Sequence, residues 1–229
     1  MPTPLTLERL HELCSVDSAT VANAVEAFGV RDPTEGFMGM EIRCQFPEFG
    51  VICGYAVTCV IDSMTPGRRG NRREGQMRLY EAISASPKPA VIVIEDKSPK
   101  PSHSCHIGDV VATIAHRLGA IGVVTNGGVR DLEAIKPLRF HVFAPGVVPA
   151  HGTYMILEVG VPVQVGGVQV RPGDLLHGDQ NGMLTIPLEI ADRLYAECLK
   201  VRERELQLKD FAHSREFSLE ALRKRLLGS

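Results

Sequence analysis

The sequence predicts a mixed α/β domain, and three observations carry that prediction. Val51–Ile61 (VICGYAVTCVI), Ala90–Glu95 (AVIVIE) and Ala120–Thr125 (AIGVVT) are apolar nearly throughout, as strands buried on both faces are. Segments with apolar residues at helical spacing lie between and after them. Val161–Arg171 (VPVQVGGVQVR) alternates cleanly on both sides of Gly166-Gly167, the pattern of a β-hairpin with a two-residue turn. Strands with helices outside them, plus an antiparallel hairpin, make one mixed α/β unit.

Taken in order, residues 5–13 and 17–28 read as helices. Asp17 or Ser18 caps the second, Val21, Val25 and Phe28 form its stripe, and Gly29 ends it. Residues 30–41 read as a loop, and Ile42–Phe46 as a strand. Gly54 inside the next strand implies a bulge or a close backbone approach. Asp62–Gly75 (DSMTPGRRGNRREG) is a loop by its Pro and Gly content. Its Arg68, Arg69, Arg72 and Arg73 read as a solvated charge block or as an electrostatic guide for anions, and last as an RNA-binding patch, since no aromatics interleave them. Gln76–Ala85 reads as a helix with Met77, Tyr80 and Ile83 inward. Asp96–Ile107 reads as a long loop, followed by a helix over Asp109–Leu118. His141–Pro145, Leu175–His177 and Met183–Ile186 are short strands. A long helix runs from Pro187 to about Ala212, and Phe217–Leu227 is the last.

The chain is organised around Gly108–Asp131 (GDVVATIAHRLGAIGVVTNGGVRD). Val110, Ile114 and Leu118 make the helix stripe, and Gly119 stops the helix. The helix and the returning strand are each roughly 15–20 Å long. The loop Asn126–Asp131 is therefore expected to end beside the helix start at Gly108–Val111. Free amides at a helix N-terminus bind carboxylates. Arg130 can grip a carboxylate with two hydrogen bonds. Asp131 and Asp109 are hard oxygen ligands suited to Mg²⁺ or Mn²⁺. On spacing alone the plainer reading is stronger: both aspartates cap helices and Arg130 is a solvated surface group.

Composition excludes some classes. The 229 residues carry a net charge of -2, 44% hydrophobic and 23% charged content, so no global basic field points to nucleic acid. No apolar run approaches the ~20 residues of a membrane span. The six cysteines form no CxxC pair and read as reduced thiols. The first residues have no signal-peptide character, so a cytoplasmic location is expected. His103 and His106 form an H-x-x-H pair, but Pro99 and Pro101 place it in a loop. Hydrogen bonding is therefore expected rather than zinc, with His106 supporting a neighbouring site. Lys97 and Lys100 lie in the same loop, where desolvation deep enough to make a Schiff-base lysine is not expected.

Gly108-Asp109-Val110-Val111, Gly119, Gly122 and Gly127-Gly128-Val129-Arg130-Asp131 together resemble the signature of the RraA-like family. This family includes the 4-hydroxy-4-methyl-2-oxoglutarate aldolases. Gly54-Tyr55-Ala56-Val57-Thr58, Pro172-Gly173-Asp174 and Gly178-Asp179-Gln180-Asn181-Gly182 extend the resemblance from about Asp17 to Pro187. It implies a swivelling ββα sandwich over residues 1–187, with 188–229 as a C-terminal helical extension of the same domain. It implies assembly as a homotrimer or a dimer of trimers. It also implies a metal-dependent class II aldolase that cleaves a 4-hydroxy-2-oxo acid to pyruvate and a second oxo acid, with oxaloacetate decarboxylation through the same enolate. Substrate would lie on Gly108, Asp109, Val110, Val111 and Arg130, with Arg130 and Asp109 in catalysis and Asp131 on Mg²⁺ or Mn²⁺. Glu203 or Glu205 would come from an adjacent subunit. The family also contains a non-catalytic ribonuclease inhibitor, so a regulator that binds a protein partner is the alternative. Asn181 departs from the family's Asp-x-Asp-Gly.

Overall fold

The computed structural model describes residues 4–64 and 72–228. The chain opens with two capped helices. Thr6 accepts the Arg9 amide at the start of α1 (Leu7–Cys14), and Asp17 accepts the Thr20 amide at the start of α2 (Ser18–Glu26). Gly29 stops the second segment at φ +61, as the stop signal required. The expected strand over 42–46 shrinks to β1 (Arg43–Cys44), because Pro47 opens a 3-10 turn and cannot donate to a ladder. β2 (Ile52–Asp62) follows, and Gly54 within it lies against the carbonyl of Pro89, where a Cβ would come within 2.8 Å. The close approach, not a bulge, is what needs glycine there.

After α3 (Arg72–Ala85) come β3 (Ala90–Asp96), β4 (Cys105–Ile107), α4 (Asp109–Arg117) and β5 (Ala120–Thr125). Then follow β6 (Gly128–Val129), α5 (Leu132–Ile135), β7 (His141–Ala144), β8 (Gly146–Val147) and β9 (Met155–Val159). The hairpin is β10 (Val163–Val165) and β11 (Val168–Val170), with Gly166 and Gly167 both at positive φ as a primed turn requires. β12 (Leu175–Asp179), β13 (Gly182–Ile186), α6 (Ala191–His213) and α7 (Leu219–Leu227) complete the chain.

The main sheet runs β1-β7-β5-β3-β2-β12-β13, with β9 added to β2. β2, β3, β5 and β7 are mutually parallel, and the remaining pairings are antiparallel. Alternate residues of β2 feed opposite cores. Val57, Cys59 and Ile61 face Leu79 and Ile83 of α3 and Ala112 and Ala115 of α4. Ala56 and Val60 face the hairpin residues Val163, Val165 and Val170. A third core packs α1, α2 and α6 against Tyr55, Leu175 and Leu184. Each large aliphatic side chain buried this way contributes about 1.5–3 kcal/mol.

Two helix faces differ from the periodicity reading. On α4 the buried residues are Ala112 and Ala115, while Val110 is 65% and Ile114 38% exposed. On α3 Leu79 and Ile83 are buried, and Met77 is 53% exposed. Both helices lie close on the sheet, and small alanines permit that approach on α4 better than larger side chains would. The long segment 96–107 also corrects: its last three residues are β4, which joins β6 and β8 in a small parallel sheet. The long C-terminal helix starts at Ala191 rather than Pro187, since residues 187–190 form a turn closed by the Ile190 amide on the Pro187 carbonyl. β9 is a further strand in a stretch with no alternation strong enough to predict it. Arg68 and Arg69 of the arginine loop lie outside the described residues, and the loop ends earlier than expected, because α3 already begins at Arg72 rather than Gln76. Among the described residues no helix is long and apolar enough to cross a membrane.

Candidate active site

The return of β5 antiparallel to α4 brings the two halves of the 108–131 stretch together. A Cβ built on Gly108 would meet Asp131 Oδ2 at 2.7 Å and Arg130 Nε at 3.3 Å. Glycine at 108 is therefore what lets the Arg130–Asp131 pair lie against the helix start. The Gly108 carbonyl receives the Ala112 amide at 3.0 Å, which begins the helix. The preceding amides of α4 have no intrahelical partner by geometry. The Val110 amide is taken by the Asp109 carboxylate at 2.8 Å, which leaves the Asp109 and Val111 amides as the first-turn donors toward a ligand.

Asp131 is the first flanking residue of α5, but its side chain does not cap the helix. It sits at φ 60 before α5 and makes no side-chain capping bond. Its carboxylate instead accepts Arg130 Nε at 3.2 Å. A non-glycine residue in the left-handed region costs of order 1 kcal/mol or more, and such strain concentrates at functional positions. Arg130 is also tied by Nη1 to the Pro149 carbonyl at 3.2 Å, so its guanidinium is aimed from two sides. A cavity of about 210 Å³ opens here, with Gly108, Asp109, Val110, Val111 and Arg130 in its wall. Asp131 does not itself line the cavity; its carboxylate, 38% exposed, lies beside Gly108 and Arg130 at the cavity's edge.

His106 lies beneath this site. Its ring is fully buried, with Nε2 3.0 Å from Asp96 Oδ2 and Nδ1 2.6 Å from Thr125 Oγ1. The hydrogen-bonding reading of the His pair thus applies to His106, which belongs to β4 rather than to a loop. His103 is exposed on a separate 3-10 turn. The Thr125 hydroxyl also accepts the Gly127 amide at 3.3 Å. A Cβ on Gly127 would fall 2.0 Å from the imidazole, so the ring packs directly on the Gly127 backbone. Gly127→Ala is therefore expected to cost about 1–3 kcal/mol by overpacking. Urea unfolding checks it; a midpoint equal to wild type contradicts the packing argument.

Burial pushes the Asp96 carboxyl up, but hydrogen bonds from His106, the Ser63 amide and the Ser98 amide outweigh it and hold Asp96 at about 2. Because the folded value is depressed, the associated stability is present above pH ~4 and is lost as pH falls toward about 2. The thermal midpoint of wild type is expected to drop across that window more steeply than that of Asp96→Asn. Burial pushes the Cys105 thiol in the cavity wall up to about 11, so it stays protonated and is no nucleophile.

A model of the RraA-like family, described as Aldolase/RraA, matches residues 18–185. The chain belongs to this family. "Putative 4-hydroxy-4-methyl-2-oxoglutarate aldolase" of Halalkalibacterium halodurans is 42% identical over 110 residues, 48% of this chain and 50% of that protein. Protein DlpA of Legionella pneumophila is 26% identical over 203 residues, 87% of this chain but 31% of DlpA. The chain thus spans half or less of the curated relatives it matches. Among solved structures, an uncharacterized protein from Pseudomonas syringae superposes with a TM-score of 0.75 at 22% identity, covering 98% of both chains. Streptomyces coelicolor RraAS2, described as an unusual member of the RNase ES inhibitor RraA family, gives 0.72 at 21%, covering 90% of this chain and 98% of its own. These two show the fold, a mixed α/β sandwich around one main sheet.

Other motif residues of the RraA-like chain fall elsewhere. Asp179 is buried and accepts the Ser18 amide, the Ser18 hydroxyl and the Asn181 amide at 2.7–2.8 Å. It clamps the start of α2 to the β12–β13 turn, away from the cavity. Asn181 is in that turn, so its replacement of an acid falls outside the site described above. Glu203 and Glu205 lie on α6 and do not line the cavity of their own chain. Glu203 accepts from Gln207, and Glu205 pairs with Lys209. Lys97 pairs with Glu95 on the surface. Three cavity residues escaped the sequence reading: Gln76, His151 and Tyr154, with the Gln76 amide donating to the Tyr154 hydroxyl at 3.0 Å. No short motif marks them. Loop position close after the Arg130 segment was the one signal available for His151.

Proposed function

We propose that the chain is a divalent-metal-dependent carbon–carbon lyase of the class II aldolase type. It would cleave a 4-hydroxy-2-oxo acid to pyruvate and a second oxo acid, and would decarboxylate oxaloacetate through the same pyruvate enolate. The observation that carries this reading is the Arg130–Asp131 pair held against Gly108 at the amide end of α4, beside a cavity sized for a small acid. The membership of the family and the relative described as an aldolase agree with it.

Each residue has a role that its chemistry fits. The substrate carboxylate meets the Val111 amide and the positive end of α4. Arg130, aimed by Pro149 and Asp131, is a fixed positive charge facing the 2-oxo oxygen as negative charge builds there. Asp131 would hold Mg²⁺ or Mn²⁺, with Asp109 assisting through water. Among the described residues no cluster of three or more His, Cys, Asp or Glu side chains is arranged for a metal. The ion would therefore be held by one or two carboxylates, with water and substrate oxygens completing its shell, a donor set of the hard oxygen type that Mg²⁺ or Mn²⁺ takes. When bound, such an ion supplies Lewis-acid polarisation of the 2-oxo group. In a homotrimer or dimer of trimers, Glu203 or Glu205 on the largely exposed α6 would be offered to a neighbouring subunit. A cytoplasmic location belongs to the same proposal.

The experiment is pyruvate release from oxaloacetate, measured with Mg²⁺ and again with EDTA. Turnover that needs the metal is expected. Full activity after metal removal, or no turnover with either Mg²⁺ or Mn²⁺, overturns the reading. The second result leaves the non-catalytic regulator.

A further inference from the structure

We infer that His151 is the general base that removes the proton from the substrate's 4-hydroxyl group during carbon–carbon cleavage. This rests on the lyase reading above and assigns it a residue. Arg130 and the α4 amides account for binding and for charge on the 2-oxo side. They do not accept the proton of the hydroxyl on the carbon that becomes the second carbonyl.

The tautomer of His151 follows from one contact. Nδ1 lies 2.8 Å from the Gly152 carbonyl, which can only accept, so the ring carries its proton on Nδ1 and its basic lone pair on Nε2. The side chain lines the same cavity as Arg130. Its loop is stitched to the site at three points. The Pro149 carbonyl accepts from Arg130 at 3.2 Å, the Ala150 carbonyl from the Cys105 amide at 3.0 Å, and the His151 carbonyl from Ser104 Oγ at 3.0 Å. The backbone that carries His151 is thereby held beside Arg130, while the side chain itself is exposed. The other groups of the wall are committed. His106 uses both ring nitrogens on Asp96 and Thr125, and the Cys105 thiol stays protonated. Asp109 accepts the Val110 amide and is assigned above to the metal side, and the Tyr154 hydroxyl accepts from Gln76.

The step balances without any further reactant. The proton of the C4 hydroxyl passes to Nε2, the C3–C4 bond breaks, and C4 becomes the carbonyl of the second oxo acid. The bonding pair goes to C3 as the pyruvate enolate. The imidazolium then returns the proton to C3, which gives pyruvate and the neutral ring. Decarboxylation of oxaloacetate has no hydroxyl proton to remove, and its enolate can be protonated from water.

That difference supplies the test. His151→Asn keeps a donor for the Gly152 carbonyl and loses the base. With the Mg²⁺-loaded protein, cleavage of 4-hydroxy-4-methyl-2-oxoglutarate is expected to fall by on the order of 10²–10⁴, at least about tenfold more than oxaloacetate decarboxylation, which has no hydroxyl proton to lose. Equal loss of both activities makes His151 a structural or binding residue and overturns the inference. Unchanged cleavage overturns it, and so does a wild type that decarboxylates but cleaves no hydroxy-oxo acid. After equal loss or unchanged cleavage the lyase reading survives; a wild type that only decarboxylates narrows that reading to decarboxylation, and one inert toward both substrates removes it and the inference with it.

Discussion

Asp131→Asn is expected to abolish metal-dependent turnover while the protein remains folded. The substitution keeps the size of the side chain and removes the charge that a hard cation requires. It also weakens the bond to Arg130 Nε, which a carboxylate accepts more strongly than an amide oxygen does. The side chain is 38% exposed and caps no helix, so little packing is lost. A thermal midpoint within about 2 °C of wild type is expected, because a change of a few tenths of a kcal/mol moves a domain of this size by no more. The measurement pairs oxaloacetate turnover with Mn²⁺ binding. An Asn variant that keeps wild-type affinity for Mn²⁺ would remove Asp131 from the metal.

Arg130 comes next in expected effect. Arg130→Lys retains a positive charge but loses the planar fork, and a lysine cannot bond Asp131 and Pro149 from two sides while facing a substrate. The expected fall in kcat is on the order of 10²–10³, the usual cost of one fixed transition-state donor, and Arg130→Ala should be lower still. KM is expected to change less than kcat, since the carboxylate is held chiefly at the helix start. A lysine variant close to wild type in kcat would place the guanidinium at the periphery.

Much of the architecture was legible because the relevant signals are local. The apolar runs of β2, β3 and β5 are continuous, which parallel strands covered on both sides produce. Gly166-Gly167 specifies its turn through positive φ at two successive residues. The juxtaposition of Gly108 with Arg130 and Asp131 followed from two lengths, a helix and the strand that returns along it. The faces of α3 and α4 were not legible. Alanine counts weakly as a hydrophobe, yet Ala112 and Ala115 are the residues that let α4 approach the sheet, while Val110 and Ile114 stay exposed.

Composition and spacing by themselves determined the class of fold, the hairpin, the glycine stops and the segment in which the acidic and basic site residues meet. Tertiary structure alone decided the rest. Asp96, His106 and Thr125 come from three strands, and only the parallel pairing of β3 with β5 and the placement of β4 bring them within hydrogen-bond distance. His151 enters the site because the chain after β8 is tied back to β4 and Arg130. Asp131 was readable as a helix cap until its backbone was seen at φ 60 with the carboxylate turned to Arg130. Local periodicity reports which side of an element is buried. It holds no information about which distant element a polar side chain will face, because that depends on strand order and on loops whose paths are set by long-range packing.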